Sequence, residues 1–231
     1  MRRDELALAL SDIQGRISRA AVASGRSSND VNLIVVTKTY PISDIGILSS
    51  LGISDFAENR EREGANKSEQ LKVEVSANCR WHYQGKIQSN KIKSLLNWVD
   101  AIHSLDEVRH VPLIARAIPE GKTVGVFIQV SLDSQPGRGG AQPSELRKLA
   151  EVALSTSGLR LMGLMAVAPV GEAPEGAFSR LAQIHTDFKA EFPSAPSLSA
   201  GMSGDFEVAI RHGATHVRIG GSILGSRAVQ R

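Results

Sequence analysis

Cysteine is nearly absent. Cys79 is the only one in 231 residues, which excludes an internal disulfide framework and fits a reducing compartment. Aromatic residues make up 4% of the chain, and with no clustered basic face they offer no stacking platform for nucleic acid. The two signs of charge nearly cancel, 27 basic residues against 24 acidic, so no strong field marks a polyanionic partner. No apolar run approaches the roughly 18 residues that a membrane span needs. The mixed charges of Met1-Arg2-Arg3-Asp4-Glu5 are not those of a secretory signal. His-Glu-x-x-His and Cys-x-x-Cys spacings are missing, so a metal site has no support. Gly137-Arg138-Gly139-Gly140 lacks the lysine and hydroxyl of a phosphate-binding P-loop. The expectation is a cytoplasmic protein with no membrane or nucleic-acid partner.

What the chain does have is alternation. Leu33 to Val36 is a β-branched apolar run that reads as a strand buried on both faces, and Pro41 ends it. Further strands are expected at Ile53–Ala57, Arg80–Gly85, Val99–His103, Thr123–Val130, Arg160–Val167, Ser197–Ala200 and Thr215–Gly220. Helical periodicity fills the gaps: 42–50, from about 59 to Leu71, Ile87–Asn97, a stretch with Val108, Val111 and Ala115 on one face, one with Leu146, Leu149 and Ala153, Pro174–Phe192, and 203–212. Residues 72–79 and the glycine-rich stretch Ser131–Gln142 read as loops. Leu6, Leu10, Ile13 and Ile17 place a spare amphipathic helix over 3–24, ending near Gly25. Eight strands separated by helices imply a closed parallel (β/α)8 TIM barrel, one domain over 1–231. The N-terminal helix then fills out the outer ring, because too little chain follows the last strand for a full helix.

Barrel chemistry collects at the carboxyl ends of the strands. Lys38 stands there, flanked by Thr37 and Thr39; a desolvated amine at such a point becomes a nucleophile. Met202-Ser203-Gly204-Asp205 is expected to open a helix, and Arg218-Ile219-Gly220-Gly221-Ser222 lets backbone approach a ligand closely. Taken together, these features suggest a phosphorylated carbonyl compound held as a Schiff base. His82 lies inside a strand and His103 nearer a strand end.

The chain resembles the pyridoxal-phosphate-binding homeostasis proteins, relatives of the N-terminal barrel of alanine racemase. The resemblance runs through Val35-Val36-Thr37-Lys38-Thr39, Phe56-Ala57-Glu58-Asn59, Trp81-His82-Tyr83-Gln84-Gly85-Lys86-Ile87-Gln88-Ser89-Asn90-Lys91, Gly163-Leu164-Met165-Ala166, Ser199-Ala200-Gly201-Met202-Ser203-Gly204-Asp205 and Val217-Arg218-Ile219-Gly220. It implies that Lys38 holds pyridoxal 5′-phosphate as an aldimine, that Ser203, Gly220 and Gly221 take the phosphate, and that Arg218 faces the pyridine nitrogen. Met165 would pack near the ring, with Asn59 and His82 close by. The loop from Ser131 to Gly140 departs most from the family pattern.

Arginine only donates hydrogen bonds, so a ring nitrogen facing Arg218 stays unprotonated and is a weaker electron sink. A racemase also needs a second base, which its relatives draw from an added C-terminal domain, whereas this chain ends at Arg231. The resemblance therefore implies a vitamin B6 homeostasis protein that buffers or delivers the cofactor without efficient catalysis, to apo-enzymes that receive it; with no second domain to exchange, a monomer is expected. The alternative is a pyridoxal-phosphate-dependent enzyme such as a weak amino-acid racemase, with Tyr40, His82 or His103 as second base. A third reading is a cofactor-free Schiff-base aldolase.

Overall fold

The computed structural model describes residues 1–74, 79–133, 135 and 138–225. Eight strands form one closed, parallel barrel in sequence order: β1 (Asn32–Val36), β2 (Asp55–Glu58), β3 (Arg80–Tyr83), β4 (Ala101–Leu105), β5 (Val124–Gln129), β6 (Leu159–Met165), β7 (Ser197–Ser199) and β8 (His216–Ile219). Closure is made by β1 on β8, with Leu33 opposite Val217 and Val35 opposite Ile219.

Pleating separates two layers. Val35, Phe56, Trp81, Val126, Leu164, Leu198 and Val217 join the large apolar cluster beneath the helices. Their alternates Ile34, Val36 and Ala57 pack separately, on the barrel interior with Arg218, opposite Ile34, and His82, opposite Ala57. The interior is thus unusually rich in polar groups, and all of them are buried or partly buried.

The outer ring comprises α1 (Arg2–Ala23), α2 (Ile42–Ser50), α3 (Glu61–Glu74), α4 (Ile92–Leu96), α5 (His110–Ala117), α6 (Leu146–Leu154), α7 (Pro174–Glu191), α8 (Phe206–Arg211) and α9 (Gly221–Leu224). As expected, α1 fills the gap at the barrel seam. It buries Leu6, Leu10, Ile13 and Ile17 and packs on α2, α8 and α9. Arg2 ties the seam, donating to Asp44 at 3.0 and 2.6 Å and to the Leu224 carbonyl at 2.9 Å. At its other end Arg16 pairs with Glu207 and lies 4.7 Å over the Phe206 ring.

Several boundaries move. The fourth strand begins at Ala101, two residues late, because the Val99 N–H closes the preceding turn on Leu95. His103 is therefore central in β4 and fully buried, not near a strand end. The helix expected over Ile87–Asn97 is a 3-10 turn at Ser89–Lys91 followed by α4. Gln88 is extended there, and its polar neighbours favour turns over helix. α3 runs on to Glu74; the rest of the expected 72–79 loop, like the tip of the 131–142 loop, falls largely outside the described residues. Past β8 the chain adds the short α9, which sequence periodicity missed.

Candidate functional site

A cavity of about 420 Å³ opens at the carboxyl ends of the strands. Lys38, Asn59, Met165, Ser203, Arg218, Gly220 and Gly221 all line it, together with Tyr40, Gln84 and Gln129. These residues come from seven different strands or the loops that follow them, so only barrel closure brings them together. His82 does not line the cavity. It lies inside the barrel, 6% exposed, bonded to Asp55 and His103.

Lys38 is half-buried just past β1, and both of its neighbours are anchored from α3. Thr37 donates its hydroxyl to Glu58 Oε1 at 2.7 Å, and its carbonyl accepts from Lys67 Nζ at 2.7 Å. The Thr39 N–H donates to Glu63 Oε1 at 2.6 Å. Lys67 Nζ closes the cluster on Glu58 and Glu63 at 2.8 and 2.7 Å. Thr39 has φ +70°, the left-handed conformation that side chains rarely adopt, and this cluster holds it there. Burial raises the Glu58 carboxyl above its usual range, against the pull of the Lys67 ammonium. Glu63 and Lys67 escaped sequence reasoning, because an (i, i+4) charge pair ordinarily marks a solvated helix face.

The opposite wall comes from the loops after β7 and β8. Ser203 was expected to open a helix, yet α8 starts only at Phe206. Asp205 Oδ1 accepts the Met202 N–H at 2.6 Å and folds residues 202–205 into a turn that presents Ser203 to the cavity. Gly201 makes that turn possible. Its φ is +91°, and a Cβ there would stand 2.8 Å from Phe206 Cα. Gly220 lies so close to β1 that a Cβ would meet the Val36 carbonyl at 2.9 Å, whereas Gly221 faces open space.

Arg218 forms the floor, 3% exposed. It donates to Ser199 Oγ at 2.7 Å and to the Ala166 carbonyl at 3.1 Å, and among the described residues no carboxylate pairs with it. Burial lowers its guanidinium to about 10, still charged at neutral pH. Burial also brings His216 down to about 4 and His103 well below its usual value. Of the three residues that offered a second base, only Tyr40 lines the cavity, and its hydroxyl donates to the Gly225 carbonyl at 2.5 Å. Beside the rim, Asp106, Glu107 and His110 each bring a candidate metal-ligating atom within 4.8 Å of the others, a grouping that no spacing motif announced. Glu107 there already accepts from Arg109, and Asp106 from the Gly140 N–H.

Barrel, strand-end lysine and the loops after β7 and β8 together point to a class, and the model of the alanine racemase N-terminal domain matches residues 11–228. Two relatives narrow it. The pyridoxal phosphate homeostasis protein of Mycobacterium bovis is 37% identical, covering 99% of this chain and 95% of that one. The protein of the same name from Escherichia coli is 33% identical over 97% of each. Among solved structures, PipY of Synechococcus elongatus with PLP bound superposes with a TM-score of 0.82 at 27% identity, covering 95% of this chain and all of that one. The chain belongs to the alanine racemase N-terminal domain family, among its pyridoxal phosphate homeostasis proteins.

Proposed function

We propose that this protein binds pyridoxal 5′-phosphate (PLP) and buffers or delivers it in vitamin B6 homeostasis, attaching it through a Schiff base to Lys38. The observation that carries this reading is that Lys38 and the cationic Arg218 line one cavity with Ser203 and Gly221. An amine, a buried cation without a carboxylate partner, and a hydroxyl beside open backbone suit an aldehyde, an accepting ring nitrogen and a phosphate respectively. The relatives' names and the PLP in PipY support the same ligand. The bound cofactor would supply a carbonyl and an electron sink; the residues here bind and orient it. Lys38 supplies the amine, held in place through Thr37 and Thr39. Ser203 and the backbone at Gly220 and Gly221 hold the phosphate, and Met165 packs on the ring. Asn59 borders the site at the end of β2, while His82 acts only from beneath the floor.

Buffering is favoured over turnover by two features. Arg218 can only donate, so it keeps the ring nitrogen unprotonated, and the Tyr40 hydroxyl is engaged by Gly225. The test is to titrate PLP into the wild-type protein and Lys38→Ala, reading the visible absorption band and then racemisation of alanine. A band in the wild type alone, without racemisation, is expected. A band with brisk racemisation would make the protein an enzyme, and no band would promote the aldolase.

A further inference from the structure

Beneath the cavity floor an unbroken line of buried hydrogen bonds crosses the barrel. Arg218 Nη1 donates to Ser199 Oγ at 2.7 Å, and Ser199 Oγ lies 2.9 Å from His103 Nδ1. His103 Nε2 is 2.9 Å from His82 Nδ1, and His82 Nε2 is 2.9 Å from Asp55 Oδ1. Asp55 sits at the amino end of β2, where Arg80 grips it at 2.8 and 2.6 Å. The Arg80 side chain is 60% exposed, so the line runs from the ligand cavity to solvent at the far mouth of the barrel.

An ionised Asp55 only accepts and a guanidinium only donates, so with both imidazoles neutral every proton runs one way. A guanidinium only donates, so Ser199 Oγ accepts from Arg218 and has its own proton left for His103 Nδ1. A neutral His103 then carries its proton on Nε2 and donates to His82 Nδ1. His82 in turn carries its proton on Nε2 and donates to the Asp55 carboxylate. Burial alone would raise Asp55, yet the hydrogen bonds from His82 and Arg80 hold it well below the usual carboxylate range. Burial, with His82, Arg218 and His216 facing it, keeps His103 neutral, and its ring stacks on Phe127 at 4.3 Å. Each dipole turns its negative end to Arg218 and its positive end to Asp55. The buried cation thereby meets the negative ends of aligned dipoles anchored at the far side on Asp55, itself paired with Arg80.

We propose that Asp55, His82, His103 and Ser199 are positioning residues, a polarised relay that holds the Arg218 guanidinium in place at the cavity floor, where it donates to the ring nitrogen above it. This rests on the reading of Arg218 as the partner of that nitrogen. The relay itself exists without ligand, so the two can be tested apart.

The first measurement is long-range proton–nitrogen NMR of the histidine rings in the ligand-free, full-length protein. The relay predicts the Nε2–H tautomer for both His82 and His103 at neutral pH, and loss of the fixed His103 tautomer in Ser199→Ala but not in Ser199→Thr. A proton on His103 Nδ1, or a tautomer indifferent to Ser199→Ala, overturns it. The second is the nitrogen chemical shift of ring-labelled PLP added to wild type and Asp55→Asn. A ring-nitrogen shift that moves in Asp55→Asn toward that of free, unprotonated pyridine, as the bond from Arg218 weakens, supports action across the barrel. An identical ring shift in both overturns it, and Ser199→Ala serves if Asp55→Asn does not fold. Should labelled PLP fail to bind the wild type at all, the proposed function falls while the tautomer result still judges the relay.

Discussion

Lys67→Met is the most informative single change outside the cavity. Lys67 Nζ makes three bonds of 2.7–2.8 Å, to the Thr37 carbonyl, Glu58 and Glu63, and its side chain is 10% exposed beside a Glu58 side chain at 0%. Methionine keeps most of the stem and removes the charge, leaving the Glu58 carboxylate buried and unpaired. Breaking a buried pair in this way costs about 3–5 kcal/mol, which for a chain of this size lowers Tm by roughly 6–20 °C. The additional replacement Glu58→Gln removes the orphaned charge, and the double variant should recover more than half of the loss. The sign with pH is fixed as well. The fold binds the Glu58 proton more tightly than the unfolded chain does, so the contribution is most favourable below the unfolded pKa and is lost as pH rises through the raised folded one. Lys67→Met should therefore regain stability on mild acidification. Urea denaturation at several pH values reads all three effects, and PLP titration reads a fourth, weaker binding as Thr37 and Thr39 loosen around Lys38. A loss below about 1 kcal/mol, or a double variant no better than the single, refutes the clamp.

Other outcomes follow from the same geometry. Ser203→Ala should weaken PLP binding about tenfold, one hydrogen bond's worth, while leaving ligand-free Tm unchanged, since its hydroxyl accepts only a long 3.5 Å contact from the Ser222 N–H; absorbance titration and thermal melts check this. Leu10→Ala, at 4% exposure on the buried face of α1, should cost about 2–5 kcal/mol in one cooperative transition, and a separate early transition for α1 would show that it is an appendage. His216 is held neutral down to about 4, so the unfolded chain takes up its proton first. Stability should fall as pH drops from about 6.5 toward about 4, by about 2–3 kcal/mol from this group, and His216→Phe should flatten that slope in urea melts.

The barrel was legible because each buried strand announces itself as an apolar run and each gap carries helical periodicity. Eight repeats leave closure as the economical solution. Lys38, Ser203, Arg218 and the glycine pair were legible through their places at strand ends. What sequence could not order were features that depend on register. One residue of slip reverses a strand's faces, and a two-residue shift moved His103 from a strand end to the barrel centre. Glu58 ends a strand, yet pleating turns it outward to Lys67. The relay unites residues from β2, β3, β4, β7 and β8, and none of its members is adjacent in sequence. The turn at Ser203 depends on one side-chain bond from Asp205, which composition cannot distinguish from an N-cap.

Borohydride reduction of the PLP-loaded protein, followed by mass mapping of its peptides, tests the central claim most directly. The account predicts a single stable pyridoxyl adduct on the peptide carrying Lys38, absent from Lys38→Ala. An adduct on Lys67 or Lys86 with Lys38 unmodified would contradict it.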